Sequence, residues 1–175
     1  PATDLGERPD LDSLGPFRWQ PPAAPNWELP TPTGKTVSLQ KFAGKPVLMI
    51  FYLGMGCPHC IEQLKSFAPL QPKFAEAGIE MIAVGTDTAE GLKETLGIED
   101  EDSETPFPYL LLSDAELNVF KDYRVYDDFE EMALHGTFLI DGQGRIRWHN
   151  ISFEPFEHAE FLLEECRRLL AFEDS

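Results

Sequence analysis

Cysteine is scarce in this chain: three residues among 175, at Cys57, Cys60 and Cys166. They are too few and too unevenly spaced for a disulfide-stapled scaffold, so an apolar core must hold the fold and the cysteines read as chemistry. Positive charge is short as well. Fourteen Lys and Arg face 31 Asp and Glu, a formal charge of -17, which repels phosphate backbones and anionic headgroups and excludes nucleic acid as a partner. Long apolar runs are missing. The longest, Val47-Leu48-Met49-Ile50-Phe51-Tyr52-Leu53, is about a third of a bilayer span, so no direct membrane insertion of this segment is expected; its branched and aromatic side chains suit a buried strand. Neither a Met nor a signal-peptide pattern opens the chain at Pro1, which predicts a processed or excised piece with an N-terminal region once attached.

What is present divides unevenly. Six of the 15 prolines fall in residues 1–25 with little periodicity, as in an extended arm or linker, and residues 26–172 carry the pattern of one domain. Pro30-Thr31-Pro32-Thr33-Gly34 separates Trp27–Leu29 from Lys35–Leu39, an N-terminal β-hairpin followed by a short helical turn over Gln40–Ala43. A core strand over Pro46–Leu53 ends at Gly54-Met55-Gly56, and a long helix bent by Pro69 and Pro72 runs from Pro58 to Ala77. Ile79–Val84 reads as the next buried strand, and Ala89–Leu96 as a helix capped by Asp87 or Thr88 and stopped by Gly97. Glu99–Glu104 is an acidic, solvated loop. Pro108–Leu112 reads as a strand and Ala115–Tyr123 as a helix. The Gly-rich turn Asp141–Gly144 joins strands at Thr137–Ile140 and Arg145–Trp148, and an amphipathic helix over Glu157–Phe172 closes the chain. The β-α-β-α order argues for an α/β fold with neighbouring parallel strands, helices on both faces of a sheet of at least four strands.

The chemistry concentrates at Gly56-Cys57-Pro58-His59-Cys60. Pro58 suits the first helical position, which makes Cys57 the N-cap, where free backbone N–H groups and the helix dipole favour a thiolate. Cys60 lies one turn on, within disulfide reach. His59 between them adds positive charge, stabilising the thiolate and making the disulfide more oxidising. A structural zinc site would need four ligands, and His149 and His158 stand isolated, so no metal and no cofactor are expected. Cys166 sits on the apolar stripe of the last helix as a buried, inert thiol. Glu62, Gln63 and Lys65 read as surface residues and Trp148 as packing.

Phe51–Cys60 and His135-Gly136-Thr137-Phe138-Leu139-Ile140-Asp141 resemble the redoxin branch of the thioredoxin superfamily. That branch includes alkyl hydroperoxide reductase/thiol-specific antioxidant proteins, peroxiredoxins and membrane-tethered thiol-disulfide oxidoreductases. The resemblance covers about Trp27 to Leu170 and implies a thioredoxin-like fold, a central mixed β-sheet flanked by helices. Laid on the peroxiredoxin pattern P-x-x-x-T-x-x-C with its reactive Cys at Cys60, Leu53 stands in place of the Pro and Cys57 in place of the Thr. His135 falls where the family carries a peroxide-activating Arg and where oxidoreductases carry a cis-Pro. The resemblance also puts the His135 loop beside the cysteines, making His135 a fourth site residue with Cys57, Cys60 and His59.

The first functional reading is therefore a thiol-disulfide oxidoreductase, in which Cys57 attacks and Cys60 resolves, acting on protein or small-molecule disulfides and thiols. A peroxiredoxin-like thiol peroxidase reducing hydroperoxides is the alternative. A non-enzymatic redox-sensing or interaction domain of a larger protein is a third. Redox pairs serve reducing and oxidising compartments alike, so cytoplasm and cell envelope both stay open.

Overall fold

Residues 21–100 and 103–171 are described by the computed structural model of the protein. The Pro/Gly turn folds β1 (Glu28–Pro30) antiparallel onto β2 (Thr36–Ser38), and a single turn of 3-10 helix over Leu39–Phe42 leads into β3 (Val47–Tyr52). All six residues of β3 are buried, and β3 lies at the centre of a five-stranded sheet. Its neighbour on one side is β4 (Glu80–Gly85), parallel, followed by β5 (Leu110–Ser113), also parallel. On the other side lie β8 (His135–Ile140) and β9 (Ile146–Ser152), both antiparallel to their neighbours.

Alternation along β3 sorts the core into two layers, because successive side chains on a strand point to opposite faces. Leu48, Ile50 and Tyr52 pack with Leu64 and Phe67 of α1 (Pro58–Phe67), Phe74 of α2 (Gln71–Glu76) and Leu162 and Cys166 of α5 (Ala159–Leu170). Val47, Met49 and Phe51 pack with Trp27 and Val37 of the hairpin and with Val119 and Phe120 of α4 (Asn118–Asp122). Phe51 centres an aromatic group, with ring centroids 4.9 Å from Phe120, 5.4 Å from Tyr123 and 5.6 Å from Phe138. Among the described residues no helix is long and apolar enough to cross a membrane.

The expected bent helix is α1 and α2 joined by a 3-10 turn at Ala68–Leu70, with Pro69 and Pro72 each near the start of a new segment, where a missing N–H costs no helical bond. The helix α3 (Ala89–Leu96) begins at Thr88, whose hydroxyl accepts the Gly91 N–H at 3.0 Å, and ends at Gly97 with φ 65°. Two expectations need correction. The helix expected from Ala115 begins only at Asn118: Leu117 takes φ 59°, and the buried Asp114 carboxylate accepts the N–H groups of Asn118 at 3.1 Å and Phe120 at 2.9 Å, capping a shorter helix. A small ladder of β6 (Tyr126–Asp127) and β7 (Met132–Ala133) is additional to the expected elements. Before β1, Ala23 forms an isolated bridge with Arg145, and Ala24 donates to the Gly144 carbonyl at 2.8 Å. Residues 1–20 of the proline-rich arm, 101 and 102 of the acidic loop, and Phe172 lie outside the described residues.

Candidate active site

The topology explains why residues 75 positions apart meet. Because β8 runs antiparallel to β3, with Phe51 opposite Gly136, the start of β8 lies at the end of β3, where the cysteine loop begins. Because β4 runs parallel to β3, with Tyr52 opposite Gly85, the loop after β4 lies at the same end. Two distant segments thus converge on Gly54–Cys60.

At the helix start the sequence rules operate locally. Cys57 is the N-cap of α1 with extended backbone, Pro58 is the first helical residue, and the Cys57 sulfur accepts the Cys60 N–H at 3.3 Å. Cys57 and Cys60 are joined in a disulfide, with Cα atoms 5.3 Å apart. Cys57 is partly exposed, whereas Cys60 is fully buried. The Cys60 sulfur also accepts the Leu53 N–H at 3.3 Å and lies 3.2 Å from Nε2 of His135.

His135 is only 5% exposed. Its Nδ1 lies 2.9 Å from the Phe153 carbonyl, which can only accept, so Nδ1 carries a proton. In the neutral imidazole Nε2 is then left with a free lone pair aimed at Cys60. Burial pushes the His135 pKa below the ordinary histidine value, the Phe153 carbonyl works against that fall, and the charge of His59 adds to it. The neutral form therefore prevails at pH 7. The two sulfurs and a His135 ring nitrogen lie within 4.8 Å of one another, a set of donors that could hold a metal ion.

His59 lies at the surface. Its side chain is exposed and its Nδ1 lies 3.9 Å from a Glu62 carboxylate oxygen, and no His59 nitrogen joins the group of donors at the sulfurs. Gln63, expected at the surface, is a correction: it is fully buried, its amide donating to the Phe156 carbonyl at 3.3 Å. Cys60, Gln63, Leu64 and Phe67 form one helical face turned to the sheet, so an isolated Gln beside Glu62 and Lys65 gives no hint of burial. Trp148 packs edge-on against Phe156 at 5.3 Å, and Cys166 is fully buried, its thiol pushed up to about 12 by desolvation first and the Glu165 charge second.

Sequence reading missed the clamp on the cysteine loop. An oxygen of the Asp87 carboxylate accepts the Met55 N–H at 2.8 Å, and the Thr86 hydroxyl donates to the Leu53 carbonyl at 3.0 Å. Ser113 at the end of β5 donates to the Asp87 carbonyl at 2.6 Å, tying the clamp to the sheet. Gly54 sits against it with φ 103°, where a Cβ would stand 3.0 Å from a carboxylate oxygen of Asp87. Asp87 offered only the signal of a candidate helix cap; Thr88 takes that role instead.

Comparison with known proteins agrees with this architecture. The AhpC/TSA family model matches residues 22–149. Peroxiredoxin Q, chloroplastic, of Oryza sativa subsp. japonica is 34% identical over 138 residues, 78% of this chain and 61% of that protein, so the match spans about three fifths of that relative's length. Peroxiredoxin Q, chloroplastic, of Sedum lineare is 31% identical over 147 residues, 83% of this chain and 76% of that protein. Among solved structures, peroxidoxin BcpB from Mycobacterium tuberculosis superposes with a TM-score of 0.71 at 22% identity, covering 89% of this chain and 97% of that one. With a family match across most of its length and a relative above 30% identity covered over three quarters of its own, the chain belongs to the AhpC/TSA family and has its thioredoxin-like fold.

Proposed function

We propose that the protein is a thiol-dependent peroxidase of the peroxiredoxin kind, cycling Cys57 and Cys60 between dithiol and disulfide, with residues 26–172 as the working domain. The observation that carries this reading is the closed Cys57–Cys60 pair with Nε2 of His135 at 3.2 Å from the inner sulfur. The names of the relatives support it.

Cys57, the more exposed sulfur and the N-cap, is the attacking thiolate. It takes the terminal oxygen of a hydroperoxide; the O–O bond breaks, the alkoxide leaves and picks up a proton, and Cys57 becomes a sulfenic acid. The Cys60 thiol passes its proton to Nε2 of His135, and the resulting thiolate attacks the Cys57 sulfur. The S–O bond breaks, hydroxide leaves, and the imidazolium returns the proton to make water. A small dithiol then supplies two electrons: one of its thiolates attacks the Cys57 sulfur, Cys60 leaves as a thiolate that accepts the Leu53 N–H and then takes a proton, and the second thiol of the donor displaces Cys57 as the donor closes to its own disulfide. His135 thus does proton work in the place where the resemblance assigns an Arg.

Disulfide exchange is the second reading, favoured by the exposed Cys57 at a helix start. Peroxide consumption and insulin reduction, both with a dithiol donor, separate the two. Peroxide turnover is expected, abolished in Cys57→Ser, with Cys60→Ser accumulating a sulfenic acid that dimedone traps at Cys57. Insulin reduction without peroxide consumption would reverse the ranking.

A further inference from the structure

The three donor atoms at the site form a ligand set as well as a redox pair. Two sulfurs and one imidazole nitrogen stand within 4.8 Å of one another. Soft metal ions bind at about 2.3 Å from sulfur and about 2.0 Å from nitrogen, which puts neighbouring ligands about 3.5 to 4 Å apart. The observed 3.2 Å between Cys60 Sγ and His135 Nε2 is close to that spacing. Breaking the disulfide lets the sulfurs separate toward it. His135 has the arrangement of a ligating histidine: Nδ1–H is held by the Phe153 carbonyl at 2.9 Å, which fixes the ring and leaves Nε2 free to donate.

We propose that the reduced protein binds one Cu(I) ion through Sγ of Cys57, Sγ of Cys60 and Nε2 of His135. Thiolate and imidazole donors select soft or borderline ions, Cu(I) and Zn(II) foremost. A structural zinc site takes four protein ligands, and among the described residues no fourth His, Cys, Asp or Glu joins the three; a three-ligand zinc site needs water in its fourth position, and here Cys60 and His135 are buried. Cu(I), a d10 ion content with three donors, fits what the fold supplies. Binding replaces two thiol protons with one Cu(I), leaving one net negative charge. The Leu53 and Cys60 N–H groups, each 3.3 Å from a sulfur, offset that charge, as does the start of α1. The disulfide cannot bind the ion; a dithiol must first reduce it. This metal binding is independent of whether the pair turns over peroxide.

The test uses protein reduced with a phosphine, desalted without oxygen and titrated with Cu(I) against bicinchoninate as the competing, coloured chelator. One Cu(I) per chain is expected to leave the chelator for the reduced protein and none for the disulfide form. Cys57→Ser and Cys60→Ser should each weaken binding more than about 100-fold, and His135→Gln about 10- to 100-fold. Cys60 and His135 are buried and their variants can fail to fold, so X-ray absorption on the wild-type complex provides an independent readout, with two sulfurs and one nitrogen expected around copper. A sulfur-only shell, no uptake by the reduced chain, or displacement of Cu(I) by equimolar Zn(II) would overturn the assignment.

Discussion

At the scale of single residues, three cysteines of one chemical type occupy three environments. Cys57 sits partly exposed at a helix start, Cys60 is buried but hydrogen-bonded, and Cys166 is buried in the apolar layer between the sheet and α5. A thiol reacts as its thiolate and only where a reagent can reach it. Mass-mapped iodoacetamide labelling of the reduced protein at pH 7 should therefore modify Cys57 first and Cys60 more slowly. Cys166, with its pKa pushed up to about 12, should stay unlabelled until the chain is unfolded. Cys60 labelled ahead of Cys57 would reassign the attacking sulfur. The Cys57 and Cys166 environments were legible beforehand, one from Pro58 and the other from its helical stripe. His135 was placed near the cysteines only through family resemblance; its bond to Phe153 joins two β-strand ends and has no local signal.

At the scale of elements, the strongest sequence signals were local and came out as read. Thr88 and Gly97 bound α3, the Asp141–Gly144 turn joins β8 to β9, and unbroken apolarity made β3 central. Elements governed by tertiary partners were not legible: α4 is shortened by the Asp114 carboxylate, and β6 and β7 are two residues each, below any periodic signal. Packing between β3 and α4 gives a test of this layer. Phe120 is fully buried against Phe51 at 4.9 Å, so Phe120→Ala should cost about 3–5 kcal/mol by chemical denaturation. The Cys57–Cys60 pair lies at the start of α1 and in the opposite layer, so its labelling order should persist at temperatures where the variant stays folded. A loss below about 1 kcal/mol would mean that the layer repacks freely.

For the whole molecule, charge is the dominant sequence-level property. A net charge of -17 on 175 residues repels itself, and folding brings that charge into a smaller volume than the unfolded chain occupies. Salt shortens the Debye length from about 10 Å at 0.1 M to about 3 Å at 1 M. The calorimetric unfolding midpoint of the oxidised protein should rise with NaCl over that range. A flat or falling midpoint would show that the carboxylates are already compensated within the fold. Composition thus determined the sign of the field, and local sequence determined the α/β order and the redox character of the Cys57 to Cys60 motif, because each follows from residue type and near-neighbour spacing. The tertiary structure alone decided that His135 faces Cys60, that Asp87 and Thr86 hold the cysteine loop, and that His59 does not join the sulfurs. The reason is geometric: the parallel pairing of β3 with β4 and its antiparallel pairing with β8 bring three distant segments to one end of the sheet.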